Sequence, residues 1–402
     1  MDRPDGARPA RLESLDGLRG LAAAVVVVFH IVISDASAGR VYKLDHNAPM
    51  STWAYALNYT PLRVAWAGSE AVVVFYVLSG FVLALPFARS RGPSWRVFYP
   101  RRLIRLYVPA IASLIFAWIT TLIVHRRIIS GGSPWLNHHA SEPTGPMQIL
   151  LGSSLMAGWG GLNTSLWSLR WEVMFSLLLP IFLILAAWCS RWDLGKAVVV
   201  LLFCAAWPLV GWFYPDLVYI SVFSLGVLMA YNLDALSNAA SRIPPFAWGI
   251  VVTASIVLLT NSWIVAGVDL NNPARRAWIA IASIGAAGLV WVAIGCRAAR
   301  RLLSHRSIAW LGGISFSLYL TQEPVVVGLA FVSGGRIPLW LEVPLAFVAA
   351  VLVGWIFYRL VERPSHRFAR AWGSKRRSAA AGLQQSSAPS RTAVPMPGSE
   401  AT

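Results

Sequence analysis

The chain has 402 residues, of which 57% are hydrophobic and only 13% are charged. About a quarter of the residues of a soluble domain are charged, so this composition excludes an ordinary soluble protein and indicates an integral membrane protein. The formal net charge of +17 would suit a nucleic-acid-binding protein, but the distribution of basic residues indicates membrane topology instead, and no nucleic-acid partner is expected.

Long apolar runs predict an all-α membrane protein, a bundle of about ten transmembrane helices. The runs lie at about 18–34, 67–87, 106–124, 166–188, 196–213, 217–233, 246–265, 276–295, 308–332 and 341–361. They form one predicted membrane-embedded domain at residues 1–373. The remaining residues, 374–402, begin with basic residues and continue with Ala, Ser, Gln and Pro without periodicity, which predicts a disordered cytoplasmic tail.

Lysine and arginine are distributed unequally between the two sides that ten spans would define. About three quarters of the 34 basic residues fall on the side that carries both termini. This is the positive-inside pattern. We therefore expect cytoplasmic termini and a multi-pass protein of the cell membrane, in contact with membrane lipid.

The first span, LDGLRGLAAAVVVVFH, carries a polar residue at each end. Arg19 and His30 are eleven residues apart, so on a helix they lie on one face, about 16 Å from each other. Residues 1–38 also resemble a signal peptide, but the acidic residues Glu13 and Asp16 favour a retained span. A histidine in a span either lines a cavity or is satisfied by a neighbouring backbone. A neutral imidazole is suited to accept a proton from a hydroxyl.

An arginine cluster follows the second span, in YPRRLIRLYVP. Arg101, Arg102 and Arg105 lie within about one turn of each other at the predicted cytoplasmic face. They either anchor the helix as positive-inside residues or bind phosphate, since guanidinium groups bind phosphate in a bidentate manner. Upstream, the Ser79-Gly80 pair is predicted to permit close approach of another helix.

A carboxylate interrupts the fourth apolar run, SLWSLRWEVMFSLLLP. Glu172 is predicted to lie at a depth similar to that of His30, where it could orient and stabilise an imidazolium. The alternative is a buried ion pair of Glu172 with Arg170 or with an arginine of another helix.

Other polar residues give weaker signals. Tyr319, Gln322 and Glu323 cluster ahead of Pro324, and Glu362 is expected to be an ion-paired anchor at the end of the last span. No metal site is predicted, because His138 and His139 lack ligand spacing. The cysteines are expected to be packing residues, since none is spaced as a metal ligand pair; they are Cys189, Cys204 and Cys296.

Six segments, in this order, resemble the acyltransferase-3 family of multi-pass membrane O-acyltransferases. They are LDGLRGLAAAVVVVFH, FYVLSGF, RRLIRLYVP, SLWSLRWEVMF, ISFSLYLTQEP and VERP, and together they extend over residues 15–367. The sequence departs from the family where Val73 replaces an acid, with Glu70 one turn earlier, and where Phe316 and Gln322 replace tyrosine and histidine.

The resemblance implies a ten-helix enzyme that moves an acyl group from cytoplasmic acyl-CoA, as cosubstrate, to a hydroxyl. His30 and Glu172 would be the catalytic residues. The implied donor-binding residues are Arg19, Arg101, Arg102 and Arg105. No permanently bound cofactor is expected.

The predicted activity is transfer of acetyl or another short acyl group to a carbohydrate, a glycolipid or a glycosylated natural product. His30 would act as the general base or, alternatively, as an acyl-accepting nucleophile. A transporter or exporter of a polar metabolite is the alternative function, and a non-catalytic lipid- or glycan-binding protein is a third. Acyl-CoA turnover would separate the enzyme from both.

Overall fold

The structure is a computed structural model and describes residues 10–42, 52–89, 92–156, 161–188, 218–261 and 274–371. Helices account for its regular secondary structure, and no β-strand occurs within these ranges. The all-α prediction is therefore confirmed for the described part of the chain. The predicted span at 196–213 and the predicted tail at 374–402 lie outside it, as do Cys189 and Cys204.

The described helices are mostly long and apolar, with a few short connecting helices at both ends of the bundle. In chain order they are α1 (Ala10–Ser34), α2 (Ala36–Tyr42), α3 (Thr52–Tyr59), α4 (Gly68–Ala88), α5 (Trp95–Ile123), α6 (Pro134–Ser141), α7 (Pro146–Ser153), α8 (Trp167–Trp188), α9 (Val218–Tyr231), α10 (Leu233–Arg242), α11 (Ala247–Leu259), α12 (Ala274–Gly295), α13 (Arg297–Leu303), α14 (Arg306–Ser333) and α15 (Leu339–Phe357). A 3₁₀ turn at Thr164–Leu166 leads into α8, and a π-helical turn at Tyr358–Glu362 follows α15.

Seven helical segments of the described chain are long and apolar enough to cross a membrane. They are Glu13–Ser34, Gly68–Ala88, Trp95–Ile123, Thr164–Trp188, Trp278–Gly295, Arg306–Ser333 and Leu339–Ala371. The pair α9 and α10, bent by 75°, would make an eighth span if counted as one. The helix α11 has only 13 residues, fewer than the roughly 20 that a bilayer requires. The predicted count of about ten spans is thus not confirmed.

The helices α1 and α14 form the centre of the bundle and pack against each other along much of their length. Glycines permit the closest part of this contact. A Cβ atom on Gly312 would lie 2.0 Å from the carbonyl oxygen of Asp16, and one on Gly20 would lie 2.6 Å from the backbone nitrogen of Gly312. Arg19 directly precedes Gly20 on α1, so this contact sets the position of the α1 backbone next to the arginine.

A second glycine contact joins α4 to α9. A Cβ atom on Gly80 would lie 2.1 Å from the carbonyl oxygen of Phe223, and one on Gly226 would lie 2.0 Å from that of Val77. Close helix approach at the Ser79-Gly80 pair was predicted from the sequence, and the structure agrees with that prediction.

The polar residues of the bundle interior gather at two levels. The arginine end contains Arg19 on α1, Arg102 and Arg105 on α5, and Glu362 in the π-helical turn. The histidine end contains His30 on α1, Glu323 on α14 and His139 on α6. Because α1 extends from one level to the other, its face carries both Arg19 and His30, as the eleven-residue spacing predicts.

Candidate active site

Glu323 is the centre of the polar cluster at the histidine end. Its side chain is fully buried and accepts four hydrogen bonds from the start of the α8 segment. The donors are the Thr164 backbone nitrogen at 2.6 Å, the Thr164 hydroxyl at 2.9 Å, the Ser165 backbone nitrogen at 2.7 Å and the Ser165 hydroxyl at 2.6 Å. A carboxylate in this position is stabilised by the free amide groups and the dipole of the helix N-terminus.

The next residue, Pro324, explains how α14 and the α8 segment are joined here. Proline has no N–H group, so the carbonyl of Leu320, four residues earlier, loses its normal helical donor. The Asn163 side chain replaces that donor, with a 2.8 Å hydrogen bond from Nδ2 to Leu320 O. Its Oδ1 also accepts from the Ser165 backbone nitrogen at 3.2 Å. Asn163 therefore caps the start of the α8 segment and supplies the hydrogen-bond donor that the Leu320 carbonyl of α14 lacks.

His30 faces this carboxylate from α1. The Nδ1 atom donates a 3.0 Å hydrogen bond to the carbonyl of Val26, which places the proton of the neutral ring on Nδ1 and leaves the lone pair on Nε2. Nε2 lies 3.8 Å from Glu323 Oε2, too far for a hydrogen bond but close enough for charge stabilisation. Gln322 also makes a polar contact with the ring. His30 can therefore accept a proton at Nε2, and Glu323 would stabilise the resulting imidazolium.

A second histidine approaches the other oxygen of the same carboxylate. His139 Nε2 lies 3.5 Å from Glu323 Oε1, and its side chain is 1% exposed. The Trp135 ring contacts both histidines, with its centroid 5.4 Å from that of His30 and 4.8 Å from that of His139. Burial lowers the pKa of His139 to about 4, although Glu323 opposes this shift. The His139 ring is therefore neutral near pH 7.

Glu172, which the sequence predicted to be the acidic partner of His30, lies elsewhere. Its Oε2 accepts a 2.8 Å hydrogen bond from Arg102 Nη2, and Arg102 also donates to the hydroxyls of Ser176 and Ser79 at 3.2 and 3.3 Å. The predicted pairing is therefore corrected: Glu172 forms the alternative ion pair with an arginine of another helix, and Glu323 is the carboxylate beside His30. Glu172 lies two turns after Ser165 along the helix, roughly 10 Å nearer the arginine end.

The four arginines that the sequence predicts to bind the acyl-CoA donor differ in their contacts. Arg101 donates to the carbonyls of Ala369 and Arg370 at 3.2 and 2.9 Å, and Arg102 is held by Glu172 as described. In contrast, no other described residue accepts a hydrogen bond from Arg19 or Arg105. These two guanidinium groups lie near each other and near Arg102, so the arginine end holds surplus positive charge.

Glu362 partly balances this charge. Its Oε2 accepts hydrogen bonds from the backbone nitrogen of Ser317, at 3.1 Å, and from the Ser317 hydroxyl. Both Arg19 and Arg105 are close enough to interact with it electrostatically. The sequence suggested an ion-paired anchor beside Arg363; the structure instead joins Glu362 to the middle of α14.

The sequence gives only a weak signal for Glu323 and assigns His139 no role in the site. A buried carboxylate next to an in-helix proline was the available sign for Glu323. No local pattern identified His139, which lies on the short helix α6, distant in sequence from both His30 and Glu323. The part of the chain that the structure describes holds no group of three or more metal-ligating side chains suited to a metal ion.

Comparison with known proteins identifies the family. The family model described as "Acyltransferase domain", that of the acyltransferase-3 family, matches residues 12–359. Acyltransferase MdmB of Streptomyces mycarofaciens is 31% identical over 177 residues, which are 44% of this chain and 40% of that protein. The putative peptidoglycan O-acetyltransferase YrhL of Bacillus subtilis (strain 168) is 24% identical over 347 residues, 79% of this chain and 53% of that protein.

The aligned part of this chain thus covers about half or less of each of these relatives. No solved structure matches it significantly. The family match, in contrast, extends over most of the chain and includes α1, with Arg19 and His30, and α14, with Glu323. The apolar helices and this match together identify the chain as a multi-pass membrane protein that belongs to the acyltransferase-3 family.

Proposed function

We propose that the protein is a membrane O-acyltransferase that moves a short acyl group, such as acetyl, from acyl-CoA to a hydroxyl of a carbohydrate or a glycosylated natural product. The observation that carries the proposal is the arrangement along α1. A histidine whose Nε2 carries the lone pair faces a buried carboxylate at one end, and the Arg19 guanidinium lies in a cationic cluster at the other.

In the proposed reaction His30 is the general base. Nε2 takes the proton from the acceptor hydroxyl as the hydroxyl oxygen attacks the thioester carbonyl. A C–O bond forms, the C–S bond breaks, and the proton passes from His30 to the leaving thiolate, giving the ester and free CoA. Glu323 stabilises the imidazolium between these two transfers, because its carboxylate is buried and held by fixed donors.

The arginine end would bind the phosphate groups of the donor. Arg19 and Arg105 are available for this, since neither donates to another described residue, and guanidinium groups bind phosphate strongly. The two levels are about 16 Å apart along α1, a separation that an extended pantetheine arm can bridge. Arg101 and Arg102 would instead hold α5 in place, because their described contacts are within the protein.

The names of the two relatives support this proposal. One is named an acyltransferase, and the other a putative peptidoglycan O-acetyltransferase, whose acceptor is a hydroxyl-bearing glycan. The acyl-CoA donor and the carbohydrate acceptor of this chain are part of the proposal.

The direct test is thiol release from acetyl-CoA by the protein in lipid nanodiscs, with and without sugar acceptors. We expect His30→Ala to abolish release while leaving the yield and thermal stability of the protein near those of the wild type. Absence of release from any acyl-CoA by the wild type, or full activity of His30→Ala, would contradict the proposal. Binding of a polar metabolite without turnover would favour the transporter alternative.

The donor site has its own test and a matched control on the same helix. Arg105→Ala should raise the KM for acetyl-CoA by about tenfold, because one charge-assisted phosphate contact is lost. Arg101→Ala removes an equal charge but breaks only contacts to backbone carbonyls, so its KM for acetyl-CoA should stay near that of the wild type. Equal effects of the two substitutions would indicate that Arg105 acts only through the general positive potential.

A further inference from the structure

The histidine end contains buried polar atoms that the proposed chemistry does not use. Neither Nδ1 nor Nε2 of His139 has a hydrogen-bond partner among the described residues, and the ring is almost fully buried. A buried neutral imidazole presents one donor and one acceptor. Leaving both unsatisfied is costly in a folded protein, so this arrangement is typical of a site that a ligand completes.

Neighbouring side chains share this property. Oε1 of Gln322 is buried and has no partner within the described structure, while its Nε2 donates to the Ser165 hydroxyl at 3.1 Å. Arg126 adds two buried donors, Nε and Nη1, that no described residue accepts. Arg126 also interacts electrostatically with both Glu323 and His139. Donors and acceptors without partners among the described residues therefore gather around Glu323 and His139.

These unpartnered atoms lie next to the proposed base. His30 and His139 approach the two oxygens of one carboxylate, and Gln322 contacts His30 directly. A molecule whose hydroxyl reaches His30 Nε2 would thus bring its neighbouring groups to Gln322 and His139. The helix α6, which carries His139, follows the histidine-end terminus of α5, so such a molecule would approach from the end opposite the arginines.

We propose that His139 and Gln322 form an acceptor subsite that binds a second hydroxyl, on a carbon adjacent to the one that is acylated. This inference rests on the proposed O-acyltransferase function and specifies its acceptor as a vicinal diol. A hydroxyl both donates and accepts, so one hydroxyl can bond to the unpartnered Gln322 oxygen and to a ring nitrogen of His139. His139 is here a substrate-binding residue, and the proton transfers stay with His30.

The test measures acceptor kinetics in nanodiscs with acetyl-CoA. The acceptors are methyl hexosides and methyl 6-deoxyhexosides, each compared with the monodeoxy analogue that lacks the hydroxyl next to the acylated position. With the wild type, removing that hydroxyl should lower kcat/KM at least tenfold. His139→Ala should raise the acceptor KM about tenfold, leave the KM for acetyl-CoA within about twofold, and lose the discrimination against the deoxy analogue. His139→Gln, which keeps a donor and an acceptor, should retain part of the discrimination.

His138→Ala is the matched control. His138 is the preceding residue of α6, is partly exposed, and pairs with Glu142 at 3.3 Å rather than with Glu323. We expect it to leave acceptor kinetics unchanged. The subsite is refuted if His139→Ala keeps the wild-type discrimination against the deoxy analogue. It is equally refuted if the His139→Ala variant has a kcat that is lowered to the same extent with glycosides and with water, because a structural defect would have that effect. It is also refuted if no glycoside raises thiol release above the rate in water. Failure of the proposed function itself would look different, because wild type would then release no His30-dependent thiol at all.

Discussion

At the scale of single residues, Glu323 makes two kinds of contact at once. It caps the start of the α8 segment through four hydrogen bonds, and it faces the ring nitrogen that would accept the proton. The fixed donors keep the carboxylate charged and oriented, which is the condition for stabilising a transient imidazolium without reorganisation.

Substitutions of Glu323 and Glu172 can show which carboxylate assists His30. The sequence favoured Glu172. Glu323→Gln should lower kcat roughly 100-fold with little change in the KM for acetyl-CoA, because the opposing charge beside His30 is lost. Glu172→Gln should mainly lower the Tm, since it leaves Arg102 without its carboxylate. Thiol-release kinetics and thermal unfolding in nanodiscs measure both effects. The opposite result, with Glu172→Gln alone losing kcat, would restore Glu172 as the acidic partner.

The stability of the protein should depend on pH through His139. Burial holds the pKa of His139 at about 4, below its ordinary value of 6.5. Between these values the unfolded chain binds a proton that the folded chain does not, so the free energy of unfolding falls as the pH falls from about 6.5 to about 4.

His139→Gln removes this contribution. The Tm of this variant in nanodiscs should therefore depend less on pH than that of the wild type, and the two curves should diverge below about pH 6.5. His138→Gln is the matched control at the preceding residue of α6, because His138 pairs with Glu142 rather than with Glu323. If the Tm of the wild type and that of His139→Gln changed with pH in parallel, protonation of the His139 ring would not lower the stability of the folded protein.

At the scale of helices, the contact between α1 and α14 offers a test with neighbouring residues. Gly312→Ala would place a methyl group 2.0 Å from the Asp16 carbonyl oxygen, whereas a Cβ atom on Gly313 meets nothing within 4 Å. Gly312→Ala should therefore destabilise the protein by about 1–3 kcal/mol, as overpacking does, and should raise the KM for acetyl-CoA through displacement of Arg19. Gly313→Ala should be neutral or slightly stabilising. Similar Tm values for the two variants would contradict the close contact.

The sequence predicted helices better than it predicted contacts between them. Periodicity and apolar length placed α1, and the eleven-residue spacing correctly put Arg19 and His30 on one face. The partner of His30 could not be identified in this way, because His30, Ser165 and Glu323 come from three helices far apart in sequence. Glu172 was a reasonable candidate by depth alone, but the choice between Glu172 and Glu323 depends on which side of α8 meets α1, and no local pattern encodes that.

At the scale of the whole molecule, the two polar levels would give the two substrates of the proposed reaction separate approaches. Three helices connect the two levels. The helix α1 carries Arg19 and His30, and α14 carries Ser317 and Glu323. The α8 segment begins at the histidine end and reaches Glu172 two turns later. A bundle with this arrangement can bind a charged donor at one end while the acceptor hydroxyl meets the histidine at the other. The direction of transfer across the membrane then depends on which end faces the cytoplasm.

The positive-inside pattern predicts that the arginine end is cytoplasmic. Substituted cysteines can test this in a variant from which Cys189, Cys204 and Cys296 have been removed. Gly145 lies between α6 and α7 at the histidine end, with open space around its Cβ position, so Gly145→Cys should be accessible to a label. His305 is exposed at the start of α14, at the arginine end, so His305→Cys reports on the opposite side. A membrane-impermeant maleimide added to intact cells should label the first and should label the second only after permeabilisation. The reverse pattern would place the arginine end outside, where cytoplasmic acyl-CoA could not reach it, and the proposed donor would then be wrong even if His30 were essential.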